Sequence, residues 1–340
     1  MLFKPLKKGD TIAFFSPSSP GTFTAPKRFE RAKTFLENKG FNLIPGNLTG
    51  KKDGYRSGDA KQRANELNEL ISNPDVDAII STIGGINSNS LLPHIDYDAF
   101  KQHPKIIIGH SDVTSILLAL YAKTGITTFY GPGLIHSFGE FSPFIDMTWA
   151  CFEDLLLQNH SFPYIYKMPD YWTDDFINWE EKTKDKTRNK NQWITVNKGQ
   201  AEGRILGGTL NAMSTILGTE YMPPSDKKTI LFIEDTTKTA AYMERLFSLL
   251  KAHNYFETIG GIILGKHEQY DDQKTGKRPH DLLMEIAGKI DIPVLGEFDC
   301  CHTHPCFTLP LGKKIRLDAT KKTICLLEPC IEYENQQNME

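Results

Sequence analysis

Apolar residues in the first third of the chain follow two alternating rhythms. Short β-branched or aromatic runs, Thr11 to Phe15, Phe41 to Ile44, Val76 to Ile83, Ile106 to Ile108 and Thr127 to Tyr130, read as buried strands. Between them apolar residues recur at helical spacing. Phe29, Ala32, Phe35 and Leu36 do so within 25–38, and Ala64, Leu67 and Leu70 within 60–72. Leu91 to Phe100 reads as a short helical or turn region. Strands alternating with helices imply a mostly parallel sheet covered on both faces. The active sites of such sheets lie at the carboxyl ends of their strands. Gly84-Gly85, Ser111 and Gly131-Pro132 all fall at such ends.

The second half is richer in strand signals, at Thr229 to Ile233, Gly260 to Leu264, Ile292 to Leu295 and Lys314 to Asp318, with one clear long helix, Ala240 to His253. Between the halves, Tyr171-Trp172, Trp179 and Trp193 are spread among many charges. That stretch reads either as a solvated linker or as a mobile lid whose aromatics cover a ligand. The predicted fold class is α/β: a Rossmann-like N-terminal domain with a parallel sheet (1–168), a linker or mobile loop (169–200), and a smaller β-rich C-terminal domain (201–340). A length of 340 residues suits two domains.

Composition narrows the function. A net charge of −3 calls for neither nucleic acid nor an anionic membrane. The apolar runs are too short to span a bilayer. Met1 to Lys8 leads straight into Gly9-Asp10 without an apolar core or cleavage site, so a cytoplasmic location is expected. Six unevenly spaced cysteines fit free thiols there.

The candidate chemistry starts at Ser111. Gly109 permits a sharp turn after the Ile106 to Ile108 run, and Val113, Ile116, Leu117 and Leu120 then have helical spacing. A serine between strand and helix is lifted out of the sheet beside helix N–H groups, a setting for a nucleophile. The competing reading is that Ser111 or Asp112 caps the helix. Glu234-Asp235 ends a buried run, where a carboxylate can orient a histidine or, alternatively, cap the next helix. The densest cluster is Asp299-Cys300-Cys301-His302-Thr303-His304-Pro305-Cys306. Its adjacent residues cannot all face one ion, and it lacks the paired spacing of zinc sites. One histidine, His302 or His304, is the better candidate, as a base. Serine, acid, histidine is one chain order used by serine hydrolases.

These motifs, taken in order, resemble the LD-carboxypeptidase family of serine peptidases, and within it the microcin immunity branch. The resemblance runs from Lys8-Gly9-Asp10-Thr11-Ile12 and Ser16-Pro17-Ser18 through Gly84 to Asn89, Leu91-Leu92-Pro93 and Ile108 to Thr114. It continues through Gly203 to Gly208, Leu231 to Asp235, His302 to Pro305 and Pro310-Leu311-Gly312. It implies Ser111 as nucleophile, from the family's G-F/Y-S-D motif. It implies Glu234 as triad acid and His302 as general base, with backbone N–H groups of Gly85 and Asp112 forming an oxyanion hole. It also implies a homodimer without metal or cofactor. The long aromatic loop would supply Trp179 to stack on a ligand base, and Lys238 would hold a substrate carboxylate or phosphate, unless it is a plain surface lysine. The implied reaction is amide hydrolysis of an aminoacyl-nucleotide conjugate. The alternative is the bond between an L and a D residue in muropeptides. Three positions depart from the family pattern: His110 replaces Phe or Tyr, Cys301 replaces the glycine before the histidine, and Thr209 stands where Gly-Gly-Asn is usual. A side chain at 301 is placed to crowd His302, and it keeps open a reading as a non-catalytic ligand-binding protein.

Overall fold

The apolar runs of the first half assemble into one sheet. The computed structural model, which describes residues 1–158 and 162–332, sets Asn42–Pro45, Thr11–Phe15, Ala78–Ser81, Ile106–Gly109 and Thr128–Tyr130 side by side in parallel. Ala78–Ser81 and Ile106–Gly109 are buried at every position, as strands covered on both faces require. The helices Pro26–Asn38, Ala60–Ser72, Thr114–Thr124 and Phe144–Leu156 connect or flank these strands. Ala60–Ser72 starts at a reciprocal cap between Asp59 and Gln62, which satisfies two donors that a helix start leaves open. A sixth strand, Leu309–Leu311, comes from far along the chain and pairs antiparallel with Thr128–Tyr130.

The second sheet has eight strands. Its centre, Gln200–Thr209, Thr229–Glu234, Gly261–Gly265 and Val294–Phe298, is parallel. Antiparallel strands flank it, among them Lys314–Asp318 on one side and Ile194–Asn197 on the other. The chain is thus mixed α/β, with a parallel sheet and a strand-rich second sheet. Several elements exceed the sequence reading, two of them for a plain physical reason. The ten-residue strand Gln200–Thr209 carries three glycines and polar residues at its start, which dilute its apolar pattern. The helix Pro279–Ala287, which packs on Ala240–Ala252, is only nine residues long.

Residues 169–200 are tied to the rest of the chain at both ends of the stretch, while 181–185 are exposed. Tyr171–Trp172 pairs with Asn189–Lys190, and Ile194–Asn197 joins the second sheet. Trp193 is buried and donates its indole N–H to Asp299 Oδ2 at 2.7 Å. The other oxygen of Asp299 holds the fully buried Lys266 at 2.6 Å. This pair fixes the start of the segment that carries His302. Replacing one partner leaves the other charge buried and unpaired, which costs about 3–5 kcal/mol. Lys266→Met should therefore lower the unfolding free energy by roughly that amount, read from urea titrations. A change under about 1 kcal/mol, within the range of a solvated pair, would contradict this account.

Candidate active site

Ser111 sits between the Ile106–Gly109 strand and the Thr114–Thr124 helix in the left-handed region, φ 64°. A non-glycine residue held there stores about 1–3 kcal/mol and marks a constrained, often functional, position. The turn is closed by Thr114 Oγ1, which donates to the Ser111 carbonyl at 2.6 Å. Neither capping reading holds. The helix has no side-chain cap, and Asp112 instead accepts the N–H groups of Asn87 and Ser88 at 2.7 and 2.8 Å. Asp112 so anchors the loop bearing Gly84 and Gly85. A Cβ at Gly84 would stand 2.6 Å from the Ser111 Cβ and 3.1 Å from the Asp112 nitrogen, so only glycine lets these two turns meet. At Gly85, φ is 155° and a Cβ would strike Ser18. The buried Arg63 braces the same loop through Pro17 O at 2.6 Å and Asn87 Oδ1 at 3.1 Å.

Glu234 ends its strand beside Thr209, its register partner, and is fully buried. Its Oε2 accepts His302 Nδ1 at 2.8 Å and the His302 backbone N–H at 3.3 Å. Its Oε1 accepts the Tyr130 hydroxyl at 2.7 Å and the Thr209 hydroxyl at 2.5 Å. It caps no helix; Thr239 caps Ala240–Ala252. Burial opposes charge on Glu234, but His302 and these donors hold its pKa down at about 2. Burial likewise opposes charge on His302. The Glu234 charge and hydrogen bond, aided by Glu268 and Asp235, outweigh it and raise His302 to about 9. His302 Nε2 makes no hydrogen bond among the described residues, and His302 and Ser111 line one cavity of about 280 Å³.

His304 is not the partner of Glu234. Its Nε2 lies 3.2 Å from Glu140, which also holds Arg28 and Lys186, each at 2.8 Å. Cys301 does not displace the imidazole: its thiol is engaged by Phe298 O at 3.4 Å and Thr303 Oγ1 at 3.1 Å. No group of three or more His, Cys, Asp or Glu among the described residues is arranged to hold a metal ion.

Trp179 lines the cavity. Arg28 stacks on its ring at 4.8 Å, Arg31 donates to its carbonyl at 3.0 Å, and the neighbouring Glu180 accepts the Lys27 N–H at the start of the Pro26–Asn38 helix at 2.9 Å. Lys238 is not among the cavity-lining residues; its ammonium lies 3.5 Å from Asp235 and 5.4 Å from the Tyr242 ring. Sequence reasoning missed Tyr130, which touches both halves of the site. Besides Glu234, its hydroxyl meets Thr209 Oγ1 at 3.0 Å and accepts the Ser111 N–H at 3.4 Å. It missed His136 too, whose ring centre is 4.6 Å from those of His110 and His304. Burial, then the charge of His302, lowers His110 to about 3, and burial drives His136 and His304 well below the usual imidazole range. Of four clustered histidines, only His302 is set to carry a proton at neutral pH.

Comparison with known proteins matches residues 12–131 to the LD-carboxypeptidase N-terminal domain and residues 202–317 to the LD-carboxypeptidase C-terminal domain. The chain is 50% identical over 336 residues, 98% of each chain, to the microcin C7 self-immunity protein MccF of Escherichia coli. It is 50% identical over 323 residues, 95% of this chain and 96% of the other, to a putative carboxypeptidase of Vibrio cholerae. A solved structure of MccF in complex with aspartyl sulfamoyl adenosine superposes with a TM-score of 0.95 at 50% identity, covering 98% of this chain and 100% of that one.

Two outcomes test the electrostatics. A base at His302 works only when unprotonated, so log kcat/KM should climb with pH at a slope of about one and level off near pH 9. A plateau already reached at about pH 7, where an unperturbed imidazole has lost its proton, would refute the raised pKa. Tyr130→Phe removes a hydrogen bond to a charged group, worth about 1.5–3 kcal/mol, so kcat should fall roughly ten- to hundredfold. Steady-state kinetics with unchanged kcat would dismiss the contact.

Proposed function

The chain belongs to the LD-carboxypeptidase family of serine peptidases, and from that premise we propose that it cleaves the amide joining an amino acid to a nucleotide-like group. The observation that carries the reading is one cavity lined by Ser111, by His302 in contact with Glu234, and by Trp179. His302, held by Glu234, takes the Ser111 hydroxyl proton as Oγ attacks the amide carbonyl. The N–H groups of Gly85 and Asp112 receive the developing oxyanion, each donor worth roughly 10²–10³ in rate. His302 passes the proton to the departing nitrogen. Water, deprotonated by the same imidazole, then releases the amino acid and restores Ser111.

Three points support this substrate over a muropeptide. The first is half-identity to a self-immunity protein along nearly the whole chain. The second is the aminoacyl sulfamoyl nucleoside in that relative's solved structure. The third is Trp179, an aromatic face on the cavity wall suited to a base. In the same proposal Lys238, next in the chain to the cavity-lining Thr237, holds a substrate carboxylate or phosphate. Residues 169–200 serve as the lid between a nucleophile-bearing unit, 1–168, and a unit bearing acid and base, 201–340. A cytoplasmic homodimer completes it.

The test runs wild type and Ser111→Ala in parallel on aspartyl sulfamoyl adenosine and on a tetrapeptide ending in an L-D bond. Wild type should release aspartate from the first, and Ser111→Ala should lose about 10⁴–10⁶ of the turnover. Cleavage of the tetrapeptide alone would make the chain a wall-peptide carboxypeptidase. Cleavage of neither by folded protein would favour a binding role. Trp179→Ala should raise KM for the nucleoside conjugate several-fold to about a hundredfold, the worth of one stacked base. An equal loss on the tetrapeptide would deny the stacking role.

A further inference from the structure

We propose that Glu268 receives a primary ammonium group of the substrate on the acyl side of the scissile bond, so that the site selects acyl groups with a free amine. This rests on the reading of Ser111 and His302 given above.

Glu268 belongs to no part of the triad, yet it lines the same cavity as Ser111, Gly85 and His302. Its position is set from two sides. The chain after Thr229–Glu234 bridges to it in parallel through Thr236, with the Thr237 N–H donating to the Glu268 carbonyl at 2.8 Å. The Thr236 hydroxyl donates to Oε2 at 2.6 Å. Desolvation raises its pKa above the ordinary carboxylate value, and the opposing influences begin with the charge of His302, so the carboxylate stands within electrostatic reach of the reaction centre. Among the described residues no ion pair reaches it. The nearby Lys186, which could have neutralised it, is bound to Glu140 at 2.8 Å.

The Glu268 carboxylate, half-buried on the cavity wall, takes one hydroxyl donor on Oε2 and has no cationic partner among the described residues. The imidazoles of His110, His136 and His304 on the same cavity do not supply one, since burial keeps them uncharged. A bound cation would. In an aminoacyl substrate the α-ammonium nitrogen is two bonds from the carbonyl carbon that Ser111 attacks, so it enters this cavity with that carbon. A charged N–H donor binds a carboxylate about twice as strongly as a neutral amide N–H. An acylated nitrogen at the same point therefore forfeits the contact. The side-chain amine of a diamino acid offers the same chemistry from a different atom.

The experiment compares aspartyl sulfamoyl adenosine with its Nα-acetyl derivative. A second pair, an L-D tetrapeptide with lysine at the third position and its Nε-acetyl form, tests the side-chain amine. Wild type should favour the free amine by at least tenfold in kcat/KM within one pair, and that pair identifies the amine. In Glu268→Gln the ratio should fall to near one, and Glu268→Asp should restore part of it. A ratio that is near one in wild type, or that survives in Glu268→Gln, for both pairs overturns the proposal. Calorimetry on folded Ser111→Ala measures the same ratio as binding constants without turnover. Absence of hydrolysis by wild type would therefore count against the peptidase reading, while the binding ratio still decides the role of Glu268.

Discussion

Everything at the site hangs on the carboxylate of Glu234. It is buried at the joint between the two sheets and takes four hydrogen bonds. Two come from His302, one from Thr209 on the adjacent strand, and one from Tyr130 on the first sheet. An ionised carboxylate without water is tolerated only when so fully bonded. Its needs therefore dictate which residues stand around it. Tyr130 must reach across from the first sheet, and its hydroxyl then also meets the Ser111 N–H. The Glu234 carboxylate thus holds the His302 imidazole and, through one phenol, registers the sheet that leads to Ser111 against the sheet that leads to His302.

The same carboxylate settles a problem of charge. Four imidazoles crowd together, with neighbouring ring centres 4.6 to 5.1 Å apart. Charging several of them without water would be prohibitive. Burial keeps His110, His136 and His304 neutral, and only His302, in contact with Glu234, gains enough field to hold a proton. His304 touches Glu140, but Arg28 and Lys186 already meet that charge. Proton affinity is distributed here by how many cations share each carboxylate.

Much of this was legible in the sequence because it is local. β-branched runs marked the first sheet, and a glycine before Ser111 marked the turn that presents it. A strand ending in Glu-Asp marked a carboxylate placed to orient a histidine, and Glu234 holds His302. What depended on the path of a loop was not legible. His302 and His304, two positions apart, are the same residue type, and only the turn at 299–307 sends one to Glu234 and the other to Glu140. Tyr130 looked like one more buried aromatic at the end of a strand, since nothing nearby in sequence shows that its hydroxyl finds a carboxylate a hundred residues away. In the 169–200 stretch the charges gave no sign of which ones are anchored, as Lys186 is on Glu140 and Glu180 is on a helix start.

The strand Leu309–Leu311 lies within the C-terminal family match yet completes the N-terminal sheet, against Thr128–Tyr130. Cutting the chain between its two family matches would therefore not yield two finished modules. The leading piece would keep a bare sheet edge on the strand that bears Tyr130, and the trailing piece would carry an orphan strand. Such an edge invites pairing with other chains. The halves are stitched together, so an exchange of either matched segment would have to supply a partner for the other end of the stitch.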